Sequence, residues 1–224
     1  MPNLAPSGAS APLPSVMLFS ACYGGMATIA GVLGAKQVAV GPLAVEAGIF
    51  PFLILVGISS GVSELHGKRT AARLARFGLA PLIAAILLTL FVLRLPTDPA
   101  MYEPAKEAFP IILGQSWRMM VAGIAAYAVS LTLNIWIFSR LRREDGRFTG
   151  LRGFVAAALS QMADTVVFIS ISFYGVRPIG KIMAGQMAAK VALSAVLVPA
   201  IIWLVVRIGR RMDAEIASNR EQES

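Results

Sequence analysis

The sequence predicts an all-α polytopic membrane protein, a bundle of six transmembrane helices with both termini cytoplasmic. Three observations carry that prediction. The apolar residues fall in six long blocks, each close to the roughly 20 residues that span a bilayer. The chain is 57% hydrophobic and only 14% charged, with a mean hydropathy of +0.72, whereas soluble domains are about a quarter charged. The basic residues gather in alternate connections between the blocks.

Residues 1–15 are rich in Pro, Ala and Ser and carry no side-chain charge. They lack the basic start of a secretory signal and are expected to form a short disordered tail. The apolar blocks lie near 16–35, 47–65, 74–95, 119–138, 154–174 and 187–208, so 16–211 reads as one transmembrane domain and 212–224 as a polar, frayed or disordered tail. The long connection 96–115 holds a candidate short helix at 105–113, interfacial or re-entrant, with an ordinary headgroup-level loop as the alternative.

Connection charge sets the orientation. His66, Lys68, Arg69, Arg73 and Arg76 follow the second block. Arg140, Arg142, Arg143, Arg147 and Arg152, diluted by Glu144 and Asp145, follow the fourth, and Arg207, Arg210 and Arg211 follow the sixth. The intervening connections are poorer: Lys36 with Glu46, then Arg94, Asp98, Glu103, Lys106 and Glu107, then Arg177 and Lys181. The positive-inside rule places both termini in the cytoplasm of a cell whose inner membrane the chain crosses. The net charge of +8 is accounted for in the same way, so nucleic acid is not expected as a partner.

Catalytic signals are absent. One cysteine, Cys22, forms no internal disulfide or metal cluster, and one histidine, His66, makes no zinc site, so no cofactor or metal is expected. There is no GxxxxGK[ST] and no HExxH. A Ser-His-Asp triad would have to use His66. A membrane aspartyl protease needs a second intramembrane aspartate beside Asp164. The chain does not read as an enzyme.

What the composition leaves unexplained is a set of polar side chains inside the apolar blocks. An aspartate at the centre of a spanning helix costs about 2.5–3.5 kcal/mol on insertion scales, so such groups face the bundle interior or a wet cavity. Block two ends with Ser59, Ser60, Ser63 and Glu64, and block four holds Tyr127, Ser130 and Asn134 on one face. Block five carries Gln161, Asp164, Thr165 and Phe168 at i, i+3, i+4 and i+7. Gln186, Lys190 and Ser194 follow one another at one-turn intervals. One reading is a clasp in which Asp164 and Lys190 pin two helices together. The other, favoured because it also gives Glu64, Asn134, Gln161 and Gln186 a role, is a ligand cavity. Trp136, Phe168 and Phe173 are candidate flat walls for it, set against ordinary packing or interface anchoring. Ala27, Gly31 and Ala35 form a small-residue stripe that suits close helix packing, inside the protein or against a partner subunit.

These residues carry a resemblance. The segments NIWIFSRLRR and LRGFVAAALSQMADTVVFISISFYG, with AGIFPFLILVGISSGVSELHGKR before them, resemble the queuosine-precursor transporter family, also called the vitamin uptake transporter or VUT family. The likeness touches most of the chain. It implies six transmembrane helices and import of a planar 7-deazaguanine-type base such as preQ0, preQ1 or queuine. It also implies substrate-binding roles for Glu64, Arg118, Gln161, Asp164 and Lys190, to which the polar face of block four adds Asn134. A carboxylate suits two N–H groups on the amino-pyrimidinone edge, amides suit the lactam oxygen and ring nitrogens, and an aromatic can stack on the face. The chain departs from the family's usual pattern at Gly31, where an Asn is expected nearby, at Ser60, near an acidic position, and at Asn134, in place of Asp. Two alternatives stay open: a substrate-capture subunit of an energy-coupling-factor-type vitamin transporter, and a non-transport membrane scaffold. The expected partners are the planar base and the lipid bilayer, with a homo-oligomer or an energising subunit left open.

Overall fold

The computed structural model describes residues 13–40, 43–114, 117–141, 148–175 and 179–222. Its helices are α1 (Pro14–Leu33), α2 (Ile49–Leu93), α3 (Glu103–Leu113), α4 (Trp117–Arg140), α5 (Thr149–Phe173) and α6 (Ile179–Gln222). Between α1 and α2 lies an antiparallel hairpin of β1 (Gln37–Val40) and β2 (Leu43–Glu46), in the register Gln37↔Glu46 and Val38↔Val45. All the helices except α3 are long and apolar enough to cross a membrane, five in number among the described residues. Their outward surfaces are apolar too: Leu87, Leu88 and Phe91 on α2 and Val196 and Trp203 on α6 are exposed, as lipid-facing side chains are.

Three features differ from the sequence expectation. The fold is helical as expected, and a short hairpin that was not expected is added to it: QVAV and LAVE pair with each other, and Val45 is buried between the helices. The second and third apolar blocks join into one 45-residue helix, α2, interrupted at Gly67 by φ 81° and ψ 166°, a conformation open essentially to glycine alone. A straight helix would set Ile49 and Thr89 about 60 Å apart. Both line the same cavity, so α2 doubles back at Gly67. Finally, α1 begins at Pro14, whose fixed φ suits a first helical turn, and α6 stays helical through Gln222. Residues 1–12 of the expected tail, and the connection carrying Arg142, Arg143, Arg147, Glu144 and Asp145, lie outside the described residues.

The connection 96–115 does hold a helix, α3, with Pro104 in its first turn and a Lys106–Glu103 ion pair at 2.6 Å. None of its residues is buried, as expected of a helix lying on the rim of a bundle.

Small residues bring the helices close. A Cβ built on Gly61 would stand 2.5 Å from Val205 Cγ1, and one on Gly57 would overlap Ile201, so α2 and α6 touch backbone to side chain. Farther along α2, a Cβ on Gly78 would stand 2.5 Å from Tyr23 Cε1 and 2.7 Å from Tyr127 Oη. Gly61→Ala is therefore expected to destabilise the protein by about 1–3 kcal/mol through overpacking. Thermal unfolding of purified protein would read this as a lowered midpoint, with Gly25→Ala, which meets nothing within 4 Å, as the neutral control.

Candidate functional site

At the end of the bundle that carries the hairpin, α1, both halves of α2, α4, α5 and α6 enclose a cavity of about 220 Å³. Common small-molecule sites measure roughly 300–1,000 Å³, so this one suits a compact ligand. Ile112 and Leu113, in the last turn of α3, close one side of it. Most of the lining is apolar, with Phe52, Leu82, Ile86 and Phe168 prominent.

The polar part of the wall comes from the SQMADT segment of α5 and from α6. Gln161, Asp164 and Phe168 lie on the cavity face of α5, one turn apart, and Lys190 reaches them from α6. Lys190 Nζ donates to Asp164 Oδ2 at 2.8 Å, each side chain only 12% exposed. Ser130 Oγ, which donates to the Ala126 carbonyl at 2.6 Å, also approaches Asp164 Oδ1 at 3.4 Å. Clasp and cavity are thus one arrangement: the pair that joins α5 to α6 is also exposed to the hollow. Gln161 is 1% exposed, yet neither its Oε1 nor its Nε2 finds a partner among the described residues. An unpaired buried amide costs about 1–3 kcal/mol, which a hydrogen-bonding ligand would offset.

The other sequence candidates lie elsewhere. Asn134 is fully buried behind the cavity, where its Oδ1 accepts from Ser60 Oγ at 3.1 Å and Ser59 Oγ at 3.3 Å. Two of the positions where the chain departs from the resembled family's acidic pattern, Ser60 and Asn134, are therefore bonded to each other as a neutral pair. Beyond them Ser63 and Ser139 meet at 3.2 Å. Glu64 is farther still and pairs with Arg152 Nη2 at 3.3 Å. It faces a second pocket, of about 700 Å³, lined also by Trp203, Arg207 and Arg210. Arg118 sits in the first turn of α4, and its side chain lies outside the described residues, as does that of Phe173. Trp136 is 53% exposed and belongs to the outer surface. In the small-residue stripe, Ala27 is buried, while Gly31 borders the cavity.

Sequence reasoning missed three participants. Arg152, read as a topology charge, is buried: Nη2 also donates to the Phe138 carbonyl at 3.2 Å, and the guanidinium stands 4.5 Å from the Phe138 ring centroid. Its position two residues ahead of an apolar block gave no sign of this. Glu46, read as a connection residue, lies close to Gln186, one turn before Lys190 on α6. Burial pushes its carboxyl above the usual glutamate range and Asp164 adds to that, while Lys190 and Gln186 pull the other way. Ser15, read as tail, is fully buried against His66 and Asp213.

That last group contains the residue types of a hydrolytic triad in the wrong order. Ser15 Oγ donates to Asp213 Oδ2 at 2.8 Å and lies 2.9 Å from His66 Nε2. Asp213 approaches the same Nε2, at 3.5 Å, whereas a triad needs the carboxylate on Nδ1 and a serine hydroxyl free to attack. The arrangement ties the start of α1, the Gly67 bend and α6 together.

The comparisons with known proteins agree with this picture. Residues 46–204, well over half of the chain, match the family model described as "Putative vitamin uptake transporter". A curated relative, the "Probable queuosine precursor transporter" of Bacillus subtilis (strain 168), is 27% identical over 119 residues. That alignment covers 52% of this chain and 51% of the relative, so the chain matches about half the relative's length. No solved structure matches. The matched segment runs from the end of β2 into α6 and contains Gln161, Asp164 and Lys190 of the cavity wall. A multi-pass membrane protein with a ligand-sized hollow, the chain belongs to the vitamin uptake transporter family.

Proposed function

We propose that this protein is an inner-membrane carrier that imports a compact planar base of the 7-deazaguanine type, a queuosine precursor. The observation that carries the reading is the unpaired Gln161 amide beside the Asp164–Lys190 pair on the wall of an otherwise apolar cavity. Asp164 accepts two N–H groups from the amino-pyrimidinone edge, Gln161 serves the lactam oxygen and a ring nitrogen, and Phe168 covers the face. Lys190 holds Asp164 in register. Asn134 and Glu64 stand along the route beyond the cavity.

The chain crosses the membrane six times on this reading, the two halves of α2 counting separately. In support, Ile49 and Thr89 share the cavity, while the Gly67 bend lies with Ser15 and Asp213 at the opposite end. The basic connections then face the cytoplasm together with both ends of the helical body.

The test is complementation. A bacterium lacking both its own queuosine-precursor carrier and de novo synthesis would receive the gene and low concentrations of each candidate base. Queuosine in its transfer RNA should return for at least one base, without any companion gene. No return, with the protein shown in the membrane, would reject an autonomous carrier of these bases.

A further inference from the structure

The second pocket, of about 700 Å³, changes character along α6. Pro199, Ile202, Trp203 and Val206 make an apolar wall, and Arg207, Arg210 and Arg211 continue it. Counted from Pro199, these residues fall at i+3, i+4, i+7, i+8, i+11 and i+12, so all seven share one helix face. At 1.5 Å per residue that face runs about 18 Å from hydrocarbon-like wall to guanidinium cluster. Trp203 is 58% exposed, and the Arg207 guanidinium stands 4.9 Å from its ring centroid. Arg207, Arg210 and Arg211 are exposed as well, so the pocket opens on the outer surface of the bundle. Trp and Arg side chains both favour the level where hydrocarbon meets headgroups.

Charge complementarity identifies the occupant. Glu64, the acid among the described lining residues, is already paired with Arg152 at 3.3 Å. The three arginines can then serve an incoming anion, and guanidinium groups bind phosphate oxygens in pairs. Thr149 and Gly150, which open α5, border the same pocket, and a helix N-terminus adds to the attraction. A soluble phosphate would use the arginines and leave the apolar wall empty. A phospholipid uses both, and basic pockets between spanning helices suit anionic headgroups.

We propose that this groove binds an anionic phospholipid of the surrounding membrane. Its phosphate sits on Arg207, Arg210 and Arg211, and the first carbons of its chains lie along Pro199, Ile202 and Trp203. The assignment is independent of what the cavity at the other end of the bundle carries.

Trp203 gives the test a local reporter. The chain holds three tryptophans, Trp117, Trp136 and Trp203, so the full chain with Trp117→Phe and Trp136→Phe reports from Trp203 alone. This reporter is placed in phosphatidylcholine vesicles containing increasing fractions of phosphatidylglycerol brominated in its chains. Trp203 should be half-quenched at a fraction about 30-fold lower than brominated phosphatidylcholine requires, the preference two arginines supply. Arg210→Gln with Arg211→Gln should lose most of that preference. Lys68→Gln with Arg69→Gln, exposed basic residues outside the pocket, should keep it. Equal quenching by the two lipids in the reporter would overturn the proposal. So would a preference that the pocket variant keeps, or that the Lys68 and Arg69 variant loses to the same extent. Relief of the quenching by inorganic phosphate, and not by chloride at equal ionic strength, would give the arginines to a soluble anion and reject the lipid. Should the pocket variant not fold, the reporter's own preference and its response to phosphate still decide.

Discussion

Asp164→Asn is expected to abolish uptake while the protein still reaches the membrane. The substitution keeps the shape of the side chain and removes its charge. A hydrogen bond to a charged group contributes about 1.5–3 kcal/mol, so losing two such bonds to a ligand weakens binding by about two to four powers of ten. It also leaves Lys190 facing an amide, at a 2.8 Å contact built for a carboxylate. The single variant alone would not separate loss of ligand recognition from loss of the α5–α6 clasp. Asp164→Asn with Lys190→Met does, because it removes both charges from the buried contact and spares the fold an uncompensated ammonium. The double variant should unfold close to the parent temperature and still fail in the complementation assay. Full queuosine recovery by it would show that the pair is a fastening and that Asp164 does not read the base.

The second large effect belongs to Arg152. Arg152→Met is expected to destabilise the protein by about 3–5 kcal/mol, because it strands the Glu64 carboxylate in a site where that side chain is 13% exposed. Glu64→Gln with Arg152→Met should recover much of the loss, since two neutral side chains of similar length leave no unpaired charge. Thermal unfolding of the two single variants and the double variant gives the coupling directly. Additive losses, with no recovery in the double variant, would mean that Arg152 acts chiefly through the Phe138 carbonyl and ring and not through Glu64.

The membrane helices were legible because lipid imposes a length and a polarity on them that few other environments share. The face of α5 was legible for a related reason: polar residues spaced by one turn have only one direction to point when the rest of the helix meets lipid. Gln161, Asp164 and Lys190 followed from that and came together as expected. Glu64 did not join them, because spacing within a helix gives the face of a residue and leaves its depth along the axis relative to other helices undetermined. Arg152 looked like the other basic residues of its connection for a similar reason. A charge at a helix end is ambiguous until the partner, here Glu64 from another helix, is known. The hairpin had a local signal, the tetrads QVAV and LAVE around Gly41-Pro42, that the surrounding hydrophobicity outweighed. Had it been read, Glu46 would have been placed at a strand end facing the bundle.

The bonds between Ser15 and Asp213 join residues 198 positions apart. Ribosomes add about 5–20 residues per second, so α1 waits about 10–40 s after Ser15 is made before Asp213 exists to accept its hydroxyl. During that interval the Ser15 hydroxyl has His66 as its side-chain partner among the described residues, and a fully buried position in the finished protein is still open. A chain that stalls or is cut before residue 213 would leave this end unfastened.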